Sequence, residues 1–366
     1  MSPMQLQHPF DALADPRPSI LGLLPDELKV VVEELGQPAY RAAQLFRALH
    51  KRGVRTWDEL TDIPVGVRAR LAERFALTPG SLERELLSED GTRKQLIQLQ
   101  GGQLIETVAI PATSTESGSS RLSVCVSTQA GCAMACTFCA TGTMGLARNL
   151  SAAEIIAQVY GFRVEGKQAP THVVFMGMGE PLANYQATIT AVRILAHPEG
   201  INLGQRRLTI STSGLVPQIR KLAGEQLEVT LAISLHAPTD ELRSQLMPIN
   251  RRWPLHDLMG AADEYVRRTH RRVSYEYVLL AGVNDAPEHA EALAELLRGR
   301  LAHVNLIPYN ATDAEFARTQ PIHARAFRDR IARAGASVTI RASRGTDITA
   351  ACGQLVTTRG EGRVKS

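Results

Sequence analysis

The chain has 366 residues, 44% hydrophobic and 21% charged, with a formal net charge of +4. This suits an ordinary globular protein with one large core and a smaller domain, and it excludes a membrane-spanning chain, since no apolar run reaches spanning length. The opening MSPMQLQHPFDAL lacks the charged and apolar regions of a signal peptide, and five cysteines, four of them clustered, are no disulfide framework. A cytoplasmic protein is expected, whose mild basic excess suits a nucleic-acid partner without requiring one.

In chain order, residues 1–18 read as a loosely held arm, followed by helices over 25–35, 42–51 and 65–75. Pro25-Asp26-Glu27 suits a helix start, and Thr56-Trp57-Asp58-Glu59 looks like another. Arg41, Arg47, Lys51, Arg52 and Arg55, with His50 among them, form a basic cluster that is either an RNA-facing surface or a solvated helix face. Strand-like runs at 82–87, 93–99 and 104–110 are separated by Asp90-Gly91 and Gly101-Gly102, both hairpin signals. A polar loop over 112–120 marks the end of an accessory domain, 1–111. From residue 121 strands alternate with helices: 122–127, 172–176, 207–211, 229–234, 273–279 and 304–307, then 337–341. That order predicts an α/β fold with a parallel sheet, open or closed into a partial or complete (β/α) barrel over 121–344, with its chemistry at the carboxyl ends of the strands. Residues 345–366 form a tail.

The strongest motif is Cys132-Ala-Met-Ala-Cys136-Thr-Phe-Cys139, just after the first strand of that region. Three thiolates on one loop can hold three corners of a 4Fe–4S cluster and leave one iron open for a reactant. A zinc site with Cys125 as fourth ligand is the alternative. The CxxxCxxC spacing resembles the radical S-adenosylmethionine (SAM) signature, in which SAM binds the open iron and is split to a 5′-deoxyadenosyl radical. After the second strand, Met176-Gly177-Met178-Gly179-Glu180-Pro181 resembles the cofactor motif of that superfamily. Gly179 would let the backbone approach the ligand and Glu180 would take its ammonium group. Further polar strand ends, Ser211, Ser234-Leu235-His236 and Asn310, are candidate cofactor contacts.

Two cysteines and a carboxylate remain. Cys125, Glu106 in Leu104-Ile105-Glu106-Thr107-Val108, and Cys352 in Ala350-Ala351-Cys352-Gly353-Gln354-Leu355 resemble the RlmN/Cfr family of ribosomal RNA adenine methyltransferases, along nearly the whole chain. The resemblance implies a radical SAM partial barrel, an accessory domain that binds RNA and a tail that carries the methyl group. It implies that one SAM methylates Cys352 and a second is cleaved to activate that methyl group. The carbon then adds to adenine, Cys125 resolves the protein–RNA link through a transient disulfide, and Glu106 removes the ring proton. It further implies 23S rRNA and tRNA as substrates and an electron donor of flavodoxin or ferredoxin type. The widespread RlmN branch, which methylates C2, is the expectation here. The C8-specific Cfr branch and an activase making a radical on a protein partner are the alternatives, and the activase would leave Cys125, Cys352 and Glu106 without work.

Overall fold

The computed structural model describes residues 15, 17–113, 120–163 and 169–356. Most of the expected N-terminal arm, most of the polar loop and the end of the tail lie outside the described residues.

The N-terminal part is helical as expected: α1 (Pro25–Glu34), α2 (Tyr40–Arg47) and α3 (Val65–Arg74). Pro25 takes the first helical position, and the Glu27 carboxylate accepts the Leu24 N–H at 2.7 Å, closing the first turn of α1. α2 runs on into one π-helical turn, Ala48–Arg52, that turns His50 inward. Leu28, Val32, Leu45, Phe46 and Leu71 bury the inner faces of these helices.

Among the described residues twelve strands follow: β1 (Gly80–Leu87), β2 (Arg93–Leu99), β3 (Leu104–Thr113), β4 (Ser120–Cys125), β5 (Gln129–Cys132), β6 (Gly145–Asn149), β7 (His172–Phe175), β8 (Leu208–Thr212), β9 (Thr230–Ser234), β10 (Val273–Leu279), β11 (Ala302–Pro308) and β12 (Ser337–Ile340). Between them lie α4 (Ala140–Thr143), α5 (Ala152–Tyr160), α6 (Tyr185–Ala196), α7 (Val216–Ala223), α8 (Asp240–Leu246), α9 (Leu255–Thr269), α10 (Pro287–Leu296) and α11 (Pro321–Arg333). One sheet runs in the order β1-β2-β3-β4-β7-β8-β9-β10-β11-β12. From β4 onward every pair in it is parallel, while β1–β3 add an antiparallel meander to the β4 edge, with Val108 opposite Cys125. This is a partial barrel of (β/α) units, so the carboxyl ends of seven parallel strands converge on one rim. Apolar positions such as Phe175, Ile210, Ile233, Tyr277 and Leu306 are fully buried, as strands covered by crossover helices require. The ribbon of β5 and β6 was not foreseen, because QAGC and GLARN carry no alternating pattern.

The N-terminal helices dock on α5, which is buried along its whole length. Arg163 donates to the carbonyls of His50 and Lys51, both at 3.0 Å, and His50 Nδ1 lies 2.8 Å from the Tyr160 hydroxyl. Burial, aided by nearby His197 and Arg163, pulls the His50 imidazole down to about 3. The native state thus holds His50 neutral where the unfolded chain would protonate it. Its contribution is present above about pH 6.5 and is lost as pH falls towards 3, at up to about 1.4 kcal/mol per unit. His50→Gln, which keeps an acceptor for Tyr160, is expected to flatten the fall of stability between pH 6 and 4 in urea melts (a window of about two units inside that range). An unchanged slope would show that His50 is not the group responsible.

Candidate active site at the carboxyl ends of the strands

The cysteine loop hangs from the β5–β6 ribbon. Gly131, at φ +77, lies so close to β6 that a Cβ would sit 1.9 Å from the Gly145 carbonyl oxygen, so only glycine closes the ribbon there. Within the loop Thr137 N–H donates to the Leu246 carbonyl at 3.0 Å and Cys139 N–H to that of Cys136 at 3.2 Å. Cys132, Cys136 and Cys139 all line one cavity over the rim. Burial pushes their thiols up, Cys132 to about 11, so they stay protonated at neutral pH until a metal replaces the proton. Among the described residues no three Cys, His, Asp or Glu side chains close on a single ion. Three thiols lining one cavity suit three corners of a 4Fe–4S cluster and leave one iron open to a reactant.

Opposite the loop, the turn after β7 brings Gly179 and Glu180 to the same cavity. Gly179 is required by the protein itself: at φ +97 a Cβ would lie 2.5 Å from that of Gln129. The Glu180 carboxylate is buried, with Oε2 accepting from Ser213 N–H (2.7 Å) and Oγ–H (2.8 Å) and Oε1 from Leu182 N–H (2.9 Å). Burial still pushes its carboxyl up against these donors, so a cationic partner would be welcome there. That chemistry fits the ammonium group of SAM.

Ser211, Ser234 and His236 line this cavity too. His236, at φ +58, accepts the Val278 N–H on Nδ1 at 3.0 Å and meets the Phe138 ring edge-on at 4.8 Å. Burial drops its imidazole to about 3, so it faces the cavity neutral. Leu235 is fully buried and does not line this cavity; its N–H donates to the Glu276 carbonyl and its own carbonyl accepts from Arg243. Arg243 was not anticipated, since nothing in DELRSQL sets it apart from a surface arginine. It is fully buried and donates to the carbonyls of Ser213 (2.6 Å), Ser234 (3.1 Å) and Leu235 (3.1 Å) and to Asn250 Oδ1 (2.8 Å). It therefore ties the ends of β8 and β9, and through Ser213 it orients Glu180.

A second cavity shares Cys139, Met176, Arg341 and Cys352 with the first and adds Cys125 and Asn310. Cys352 is exposed, and Cys125 is buried with its thiol pushed up to about 12, chiefly by burial and then by the Cys352 sulfur, while Arg341 opposes. The Cys352 sulfur and Glu276 in turn hold the Arg341 guanidinium above its usual range against the cost of burial. Arg341 and Glu276, 3.7 Å apart, were also missed. A polar residue within an apolar strand gives no sign of facing a cavity instead of solvent.

The tail carries Cys352 across the rim. Ala140 N–H donates to the Gly353 carbonyl (2.9 Å), the Thr141 hydroxyl to the Leu355 carbonyl (2.6 Å), and Asn310 Nδ2 to the Cys352 carbonyl (3.3 Å). Glu106 lines neither cavity: its buried carboxylate pairs with Lys94 Nζ at 2.8 Å and accepts the Val356 N–H of the tail at 3.0 Å.

The arginines of the basic cluster over 41–55 are mostly paired within the fold. Arg47 pairs with Glu199 (3.1 Å), Arg52 with Asp62 (2.7 Å), and Arg41 donates to the Asp62 carbonyl (2.7 Å). Arg267 and Arg268 occupy the last turn of α9, where cations suit the helix dipole, at the end of the barrel away from the cysteine loop.

Residues 126–297 match the family described as the radical SAM superfamily, whose members hold a 4Fe–4S cluster and SAM. Residues 19–77 match the ribosomal RNA large subunit methyltransferase N-terminal domain. The chain is 46% identical to the dual-specificity RNA methyltransferase RlmN of Anaeromyxobacter dehalogenans, over 96% of this chain and 95% of that one. It is 48% identical to the probable dual-specificity RNA methyltransferase RlmN of Thermosynechococcus vestitus, over 92% and 97%. The crystal structure of a radical SAM methyltransferase from Sphaerobacter thermophilus superposes with a TM-score of 0.87 at 48% identity, over 92% of this chain and 99% of that one. With such relatives along almost its whole length, and the two matched domains in their order, the chain belongs to the RlmN family of radical SAM RNA methyltransferases.

Proposed function

We propose that the chain methylates C2 of one adenosine in the peptidyl-transferase centre of 23S rRNA and of the adenosine 3′ of the anticodon in tRNA. It would do so in the cytoplasm, with electrons from a flavodoxin or ferredoxin. What supports this reading is the meeting of Cys125 and Cys352 in one cavity that adjoins the three-cysteine loop. The relatives named as dual-specificity RNA methyltransferases support it further. A 4Fe–4S cluster on Cys132, Cys136 and Cys139, when bound with SAM, supplies the 5′-deoxyadenosyl radical.

The protein's own residues do the rest. Glu180, held by Ser213, orients the cofactor ammonium, and Ser211, Ser234, His236 and Asn310 frame the remainder of the cofactor. Cys352 accepts a methyl group from one SAM and presents it for activation by a second, so two SAM are consumed per product. Once that carbon is bonded to the adenine, Glu106 takes the ring proton and Cys125, as thiolate, attacks the Cys352 sulfur: the S–S bond forms as the S–C bond breaks, and the carbon leaves with that electron pair and takes up a proton to become the methyl group of the released RNA. The test is nucleoside mass spectrometry of rRNA and tRNA treated with anaerobically reconstituted enzyme. A methyl group on adenine C2 in both RNAs is expected. A methyl group on C8 would assign the C8-specific branch, and 5′-deoxyadenosine without RNA methylation would favour the activase.

A further inference from the structure

The tail that bears Cys352 is moored to the hairpin between β1 and β2 by reciprocal contacts. The Asp347 carboxylate accepts from Ser88 Oγ (2.6 Å) and Glu89 N–H (3.2 Å), and the Asp90 carboxylate accepts the Gly345 N–H (3.0 Å). Beside this clasp lies Lys94, a nearly fully buried lysine of β2. Its ammonium pairs with Glu106 Oε1 at 2.8 Å and donates to the Thr349 carbonyl (3.2 Å) and hydroxyl (3.1 Å). Thr349 is a β-branched residue at φ +51, a left-handed conformation that such residues avoid unless something holds them in it. It stands three positions before Cys352 in the sequence. One buried cation thus fixes both the carboxylate proposed as base and the strained residue that sets the course of the methyl-carrier loop.

We infer that Lys94 is a positioning residue for methyl transfer, aligning Glu106 with the Cys352 loop so that radical formation is followed by carbon transfer to RNA. This rests on the proposed function, in which Cys352 carries the methyl group and Glu106 is the base. Lys94 touches neither thiols nor cavity and acts through what it holds. The groups facing the Glu106 carboxylate are Lys94 from β2, Arg84 from β1 and the Val356 N–H of the tail, so Lys94 is the one cation among them in direct contact.

The experiment compares Lys94→Met, Lys94→Arg and Thr349→Gly with the parent, all reconstituted anaerobically and given a tRNA transcript. Lys94→Met is expected to keep its iron and cleave SAM to 5′-deoxyadenosine, but to spend on the order of tenfold more of it per methylated nucleoside, as loss of charged hydrogen bonds predicts. Its tail amides, 345–355, should exchange with deuterium about tenfold faster. The pH profile supplies a readout that a merely structural lysine would not move. Glu106 works deprotonated and Lys94 favours that form, so removing Lys94 should shift the acidic limb of the rate profile to higher pH, and Lys94→Arg should restore it. Thr349→Gly tolerates the left-handed backbone and loses one contact of the lysine, so it tests the idea even if Lys94→Met folds poorly. It should uncouple in the same direction, by less. Parental coupling and an unmoved acidic limb in Lys94→Met, or parental coupling in Thr349→Gly when Lys94→Met merely fails to fold, would overturn the inference. A Cys352→Ala control keeps the proposed function separate: if it still methylates RNA, that function's mechanism fails whatever Lys94 does.

Discussion

Replacing Cys125 with alanine is expected to trap this protein on its RNA. In the proposed sequence Cys125 acts after the carbon bond to adenine has formed, so its loss leaves every earlier step intact. Its neighbour has the opposite fate. Cys352 carries the methyl group, so Cys352→Ala should retain cluster and cofactor, yield no methylated nucleoside and form no adduct. The structure makes the pair a fair comparison, since the two thiols share one cavity and neither is a member of the three-cysteine loop. Cys125 is buried with its thiol pushed to about 12, and Arg341 is the cation beside it. In Cys125→Ala the adduct should appear as a denaturation-resistant band that nuclease removes. Reductant should not release it, because the link is a thioether. Normal turnover by Cys125→Ala, without adduct, would make it an ordinary strand residue and the mechanism wrong.

What could be read from the sequence divides by physical range. The three cysteines and the Gly-Glu-Pro turn are local motifs, each within eight residues, and both came to the same cavity. The parallel strands were readable where burial on both faces writes an apolar run into the chain, as in β9. The β1–β3 hairpins were readable from their turns, but their pairing to β4 was not, since that depends on edges far from any turn. Glu106, Cys125 and Cys352 were singled out through the family resemblance, and no spacing rule would have joined them. Long-range partners left no trace at all. Lys94 reads as one more polar residue in RKQLIQL, and only the fold shows its ammonium between Glu106 and Thr349. The arginines of α2 and its π-helical turn do stay at the surface, where Arg47 and Arg52 pair with acids, but His50 among them lies inside the core. A sequence records that a cation is present but not which anion lies opposite it.

Arg243→Met is expected to be the most destabilising of the substitutions considered. The side chain is wholly buried, and burial pulls its guanidinium down to about 10, still charged at neutral pH. Its cost of burial is offset by four hydrogen bonds, to three backbone carbonyls and to Asn250. Methionine fills much of the volume but returns none of the bonds, leaving the carbonyls of Ser213, Ser234 and Leu235 without the arginine that served them. Removing one member of such a buried charged network costs roughly 3–5 kcal/mol. Because Ser213 lies between Arg243 and Glu180, the damage should reach the cofactor site. SAM affinity should fall in Arg243→Met even at temperatures where the variant remains folded, with Glu180 no longer fixed against the cavity wall. Arg243→Lys keeps the charge but cannot span carbonyls from β8 and β9 at once, so an intermediate loss of about 1–3 kcal/mol is expected. Urea denaturation gives the stability and calorimetric titration with SAM the affinity. If Arg243→Met came within about 1 kcal/mol of the parent, the four bonds would be contributing nothing net. If stability fell while SAM affinity held, the link through Ser213 to Glu180 would be the step in error.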